Sequence, residues 1–435
     1  MMYFKNISLI DKDFNLKRNQ HAVVSGDRFV YIGSQDPRES GMDITGHEVT
    51  DGDKKLIMPA FYNTHCHISM TLLRGYGEGM PLNRWLNEKI FPFEAHFEED
   101  EKFWGAQLGA LELIASGCVS VSDMYSCLVR YGKGLYDAGM KANISNGMIV
   151  FDPEGSYYHD RSYRDTVEMI EYAGTLKDGR IVPTASIHDE FTTTDKSVEE
   201  CIDFAVKNNL TMQIHLSEAK VNHDSCISRR GITPAKYFES KGLFDLKTTA
   251  AHCVHLTDED IDIFKAHDVY MSHCLSSNLK LGTGIAPLKH YFDRGLNISI
   301  GTDGASSNNN LNMFEEMHLV AMVCRGQSED SNAISDKDIL KIATRNGALA
   351  QGREDCGLIA EGMKADFIVL DLDRPHLYPD YDTLANVVFS AQSSDVFMTV
   401  CDGDVLYKNG EYKYLDKEKI QAEAARSFEA VLSRL

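Results

Sequence analysis

Leu56-Ile57-Met58-Pro59-Ala60-Phe61-Tyr62-Asn63-Thr64-His65-Cys66-His67 is an apolar run that ends in two histidines flanking a cysteine. Along a strand, side chains alternate between faces, so His65 and His67 project to one side and Cys66 to the other. Two imidazoles on one side of a strand end can share a metal ion. A lone His-x-His is common by chance, and its plain reading is two solvated or core histidines. Here, later strand-like runs also end in metal-grade residues: His215, His252 and Asp303.

Outward from this run, residues 58–355 alternate strand and helix signals. Short apolar runs end at Thr64-His65-Cys66-His67, Val121-Ser122-Asp123, Ile144-Ser145-Asn146, Ser186-Ile187-His188, Gln213-Ile214-His215, Ala250-Ala251-His252, Met271-Ser272-His273 and Ile300-Gly301-Thr302-Asp303. Helix-length amphipathic stretches such as 101–116, 166–176, 197–208 and 258–267 lie between them. Strands joined by helical crossovers pair in parallel, and eight such units close into a (β/α)8 TIM barrel, an α/β fold. An open doubly wound sheet is the alternative. The Gly-x-Gly-x-x-Gly fingerprint that would favour it is missing after the first strand. In a barrel the C-terminal strand ends meet at one face, which gathers the histidines and acids listed above.

Both chain ends read differently. Residues 3–10 and 21–33 are short strands with polar turns, and 365–372, 396–401 and 404–407 share that texture. The expectation is a small, discontinuous β-sandwich domain built from 1–57 and 356–435, with a final helix from about 416, around a barrel at 58–355.

At 435 residues the chain is long enough for both. Lys and Arg number 44 against 65 Asp and Glu, a formal charge of −21. That acidity argues against nucleic acid or an anionic membrane as a partner, and also fits plain solubility. No window has the length of a membrane span, and the first residues lack a signal-peptide core. The ten cysteines include no Cys-x-x-Cys pair and often sit in apolar runs, as reduced thiols do in a cytoplasmic protein. The stretch 312–325 carries Met313, Phe314, Met317 and Met322, expected as core or subunit-interface packing.

The strand-end residues suggest one divalent metal held by His65, His67, His215 and Asp303. Imidazole and carboxylate ligands suit zinc, with iron or manganese as alternatives. Glu218, three residues after His215, would sit over the barrel mouth and carry a proton between water and substrate. His252 would contact the water; His255 is expected to be structural.

As a set in this order, these motifs resemble the amidohydrolase superfamily, in particular its metal-dependent deaminase branch. The resemblance rests on Pro59–His67, His215-Leu216-Ser217-Glu218, Ala251–Leu256, His273–Leu281 and Gly301-Thr302-Asp303-Gly304. It implies a mononuclear site, since no lysine ends the fourth strand signal. It also implies that Glu218, His252 and Asp303 are catalytic: Asp303 takes the proton of the attacking water, Glu218 protonates a ring nitrogen, and ammonia leaves. The stretch 72–94 is similar to the S-adenosylhomocysteine/5′-methylthioadenosine deaminase group. That likeness makes Trp85 a nucleoside-packing residue, Glu94 an acceptor for ribose hydroxyls and His188 a purine contact. The expected substrate is therefore an adenosine-type nucleoside, and the resemblance implies a homo-oligomer, a dimer or tetramer. Two segments depart from that group. Asn146 stands where an arginine is usual, with Arg161 and Arg164 downstream unplaced by the sequence, and Ser186–Phe191 lacks the usual His-x-Pro-Tyr. Alternatives are a deaminase of a free base or pterin such as guanine, a triazine chlorohydrolase or amidohydrolase, and a non-catalytic scaffold.

Overall fold

Each of the eight expected strand endings closes a strand of one parallel set in the computed structural model, which describes residues 1–435 apart from the Ser40 side chain. The strands are Phe61–Cys66, Cys118–Met124, Lys141–Ser145, Ile181–Pro183 continued by Ala185–Ile187, Met212–Leu216, Thr248–His252, Tyr270–His273 and Asn297–Ile300. Successive strands pair in parallel. The fourth is broken at Thr184: its first half pairs with the third strand and its second half with the fifth. Between the eighth and first strands, side chains replace the ladder. Thr64 Oγ1 donates to the Ile300 carbonyl at 2.9 Å and Asn63 Nδ2 to Thr302 Oγ1 at 2.7 Å. The Asp303 N–H donates to the His65 carbonyl at 3.0 Å. The architecture is the (β/α)8 barrel that the sequence implies.

Helices cover the barrel because their apolar residues recur at helical spacing. In Asp195–Lys207, Val198, Cys201, Ile202 and Ala205 are buried on one face, and Thr194 caps the first turn by accepting from the Ser197 N–H. In Met313–Ser328, Met313, Phe314 and Met317 are buried, whereas Met322 is exposed. The final helix runs over Lys417–Leu432. No helix is long and apolar enough to cross a membrane. All ten cysteines are free and buried.

The opening run proves to be two strands. Lys55–Pro59 belongs to a terminal sheet, and Phe61–Cys66 begins the barrel. Lys55–Pro59 pairs in parallel with Met2–Ile10 and antiparallel with Phe367–Asp371, so the two chain ends meet on it. The result is one nine-stranded sheet drawn from both termini. Its alternation explains how it serves two cores. Leu56, Met58, Ile368 and Leu370 join the barrel's apolar cluster, while Ile57, Phe367 and Val369 join a separate cluster with Phe4, Phe29 and Met398.

Candidate active site

Three strands deliver four imidazoles to one point at the C-terminal face. The His65 ring lies 4.9 Å from that of His67, 4.8 Å from His215 and 5.5 Å from His252, centroid to centroid. His67 Nδ1 meets the Met124 carbonyl at 2.5 Å, and His215 Nδ1 meets the His188 carbonyl at 2.7 Å. Carbonyls only accept, so each Nδ1 carries the proton and each Nε2 keeps its lone pair. Those two Nε2 atoms are 3.4 Å apart. Asp303 Oδ1 lies 3.3 Å from His67 Nε2 and 3.6 Å from His65 Nε2. His65 Nε2 is buried without a hydrogen-bond partner. Facing lone pairs, an orphaned buried nitrogen and a carboxylate at such distances are costly unless a cation lies between them. The donor set therefore fits one divalent ion held by His65, His67, His215 and Asp303. His252 is near enough to group with His65 and His215.

Burial sets the protonation states. It holds the imidazoles of His65 and His215 below their ordinary range, His215 far below, and pushes His188 down to about 4. It pushes His252 down to about 3, against the pull of Asp303. Neutral imidazole is the ligating form. Asn278 Nδ2 lies 3.1 Å from His252 Nδ1, and as an amide donor there it leaves the His252 proton on Nε2. That Nε2 is 3.8 Å from Glu218 Oε2.

The two carboxyls split in opposite directions. Burial raises Glu218 well above its ordinary value, helped by the charges of Asp303 and Asp189, which favours its protonated, proton-donating form. Burial raises the Asp303 carboxyl, but the electrostatic pull of the surrounding histidines, His65 and His67 foremost, outweighs it and holds Asp303 well below the carboxylate range. Asp303 Oδ2 accepts from Ser277 Oγ at 2.6 Å and Ser307 Oγ at 2.9 Å. Sequence reasoning missed both serines; Ser277 lies inside the His273–Leu281 motif, but nothing in its type marks it. Ser217, His252, Cys253 and Asp303 all have positive φ, between 50° and 70°. Such backbone costs roughly 1–3 kcal/mol per residue and concentrates at functional sites.

A cavity of about 230 Å³ opens beside this cluster, and Trp85, Glu94, His188 and Glu218 all line it. Glu94 accepts from the Tyr125 hydroxyl at 2.7 Å, and burial raises its carboxyl. Trp85 is nearly buried. Asn146 and Arg161 also face the cavity, and Arg164 does not. The departure at 186–191 is absorbed locally. Asp189 caps the turn Glu190–Thr192, and buried Glu190 is clasped by Arg229, at 2.5 and 3.0 Å, and by Arg230. His255 Nε2 meets the Thr283 carbonyl at 2.8 Å.

A parallel barrel that gathers three imidazoles and a carboxylate at its strand ends is the framework of a metal-dependent hydrolase. The chain belongs to the amidohydrolase family, whose model matches residues 56–406. It is 38% identical over 384 residues to a 5-methylthioadenosine/S-adenosylhomocysteine deaminase of Dictyoglomus thermophilum, covering 88% of this chain and 89% of that one. It is 40% identical over 380 residues to a 5′-deoxyadenosine deaminase of Methanothermobacter thermautotrophicus, covering 87% and 88%. Among solved structures, a zinc-bound adenosine deaminase from Xanthomonas campestris superimposes with a TM-score of 0.92 at 23% identity, over 99% of this chain and 98% of that one.

Proposed function

We propose that this protein is a metal-dependent hydrolytic deaminase that releases ammonia from an adenosine-type nucleoside. The observation that carries the reading is the geometry of two buried acids in one cavity: Asp303 lies 3.3 Å from His67 and 3.6 Å from His65, and Glu218 lies 3.8 Å from His252. His65, His67, His215 and Asp303 would hold one divalent ion, zinc by preference, which would make hydroxide available near neutral pH. Asp303 accepts the proton of the attacking water. Glu218 gives its proton to the ring nitrogen next to the attacked carbon, the proton taken up by Asp303 passes to the amino group so that it leaves as ammonia, and the hydroxyl proton returns to Glu218 as the carbonyl forms. His252 directs its Nε2–H at the developing oxygen charge, and its neutral state makes it a donor without a competing charge.

Nucleosides are preferred over free bases because the cavity extends past the cluster to Trp85 and Glu94. Trp85 offers an apolar wall and Glu94 acceptors for vicinal hydroxyls; His188 stands where the heterocycle would lie. Ammonia release from zinc-loaded protein tests the reading across adenosine, 5′-deoxyadenosine, 5′-methylthioadenosine, S-adenosylhomocysteine, guanine and a triazine. Turnover of the adenosine set is expected. Turnover confined to guanine or the triazine would overturn the nucleoside assignment.

A further inference from the structure

Asp303 is held directly, by the hydroxyls of Ser277 and Ser307. Glu218 is not. Its carboxyl is buried, His252 Nε2 stands 3.8 Å away, beyond hydrogen-bond reach, and among the described residues no side chain or N–H donates to it. For an acid that must hand over its proton this is the useful arrangement, since hydrogen-bond donors would favour the ionised form. What aims Glu218 is therefore its backbone, in the turn from the strand Met212–Leu216 into the helix Lys220–Arg230.

Ser217 stands in that turn with φ of 50°. A non-glycine residue keeps such a left-handed conformation only where its surroundings fix it. Two contacts fix Ser217. Its carbonyl accepts from the His255 N–H at 3.1 Å. Its Oγ lies 2.9 Å from Nδ1 of His223, in the first turn of the helix, and both side chains are buried. The helix needs that tie as well. Ala219 stands at its N-cap position and makes no side-chain cap, where Ser, Thr, Asn or Asp would satisfy a free N–H. The first turn is left with the N–H groups of Asn222 and His223 donating to the Ala219 carbonyl, at 3.0 and 3.1 Å. His223 adds a side-chain link from that turn back to the strand end.

We propose that His223, acting through Ser217, is a positioning residue for Glu218: it keeps the left-handed turn that points the acid at the substrate. This rests on the deaminase reading, in which Glu218 protonates the ring nitrogen. Without the Ser217–His223 bond the turn relaxes towards negative φ, and rotation at Ser217 swings the next residue, Glu218, out of line. A displacement of about 1 Å at a reacting group can cost about 10²-fold in rate.

The test measures kcat and KM for 5′-deoxyadenosine in zinc-loaded enzyme. His223→Ala should lower kcat about tenfold or more, with KM changed less than about threefold and zinc content unchanged. Ser217→Ala cuts the same bond from its other end and should match it. His223→Asn keeps a hydrogen-bonding atom near the place of Nδ1 and should recover most of the rate. A double-mutant cycle separates aiming from packing. In a Glu218→Gln enzyme, adding His223→Ala should cost less than about twofold, because the acid it aims is already gone. The full fall in that background, an unaltered kcat in either single variant, or no recovery with asparagine overturns the proposal while the deaminase stands. Should His223→Ala fail to fold by circular dichroism, Ser217→Ala is read through the same cycle. If zinc-loaded wild type releases no ammonia from any nucleoside, the deaminase reading falls and the crystal structure of Ser217→Ala decides the positioning. A turn that has left the left-handed region, with the Glu218 carboxyl shifted by about 1 Å or more, keeps it; an unmoved carboxyl overturns it.

Discussion

Glu218 and Asp303 are both buried acids in one cavity, and their surroundings push them apart. Replacing Glu218 by Gln keeps the shape and removes the transferable proton. We expect kcat to fall roughly 10²–10⁴-fold, the usual worth of a positioned acid, with metal content unchanged by elemental analysis. Retained turnover would remove Glu218 from the reaction. Glu316 offers a subtler case. It is fully buried, and burial pushes it up to about 7. It accepts from Asn308 Nδ2 at 2.7 Å and the Ser276 N–H at 3.3 Å. Those residues adjoin Ser307 and Ser277, which hold Asp303. Glu316→Ala should therefore lower kcat about tenfold or more with KM little changed, because a small misplacement at the reacting group costs rate; an unaltered kcat would make Glu316 merely structural. The metal-grade residues were legible in the sequence because each ends a strand, where periodicity and topology fix its place. Ser277 and Glu316 were not, since they sit on helices where their type carries no signal and only tertiary packing aims them inward.

Elements meet most tightly where the terminal sheet rests on the barrel. Lys141, on the third barrel strand, pairs with fully buried Asp366, and its Nζ is 2.8 Å from Asp402 Oδ1. Tyr62 donates to Asp366 as well, and the Asp402 N–H donates to it at 2.7 Å. Lys141→Met would leave Asp366 charged, buried and short of its cation, which costs about 3–5 kcal/mol. Urea denaturation should register that loss; a change below about 1 kcal/mol would show the pair to be dispensable. Burial raises Asp366, but Lys141 overrides it and holds the carboxyl below its ordinary value. Its contribution is thus present above the unfolded carboxylate pKa of about 3.9 and is lost as pH falls through the lower folded value. Acid titration of wild type should show this added stability, and Lys141→Met should lack it. The sequence foretold a sheet from both termini, because alternation was visible at each end. It did not reveal that 56–67 is two strands or that the fourth barrel strand breaks at Thr184. Both are register changes, and a continuous apolar run has no mark for where its hydrogen-bonding partner changes.

At the scale of the molecule, the proposed ligands bridge the place where the barrel closes. His65 and His67 come from the end of the first strand, Asp303 follows the eighth, and His215 ends the fifth. The first and eighth strands are joined largely by side chains, with the Asp303 N–H to the His65 carbonyl as a main-chain link. An ion bound there adds cross-links across this seam, on top of a core that is apolar and continuous without it. Binding to the folded state alone stabilises by about 2.7 kcal/mol when free metal is a hundredfold above Kd. Removing the ion with a chelator should therefore lower Tm by several degrees, in line with about 2–4 °C per kcal/mol for large domains, without abolishing the cooperative transition. Restoring zinc should return both Tm and ammonia release. Hydrogen exchange should quicken at 65–68 and 301–308 on metal removal while the terminal sheet keeps its protection, since its cluster shares no residue with the site. Uniform quickening would mean that the metal holds up the whole fold. No change in Tm or exchange, in protein shown to lose its metal, would mean that these four side chains are not its ligands.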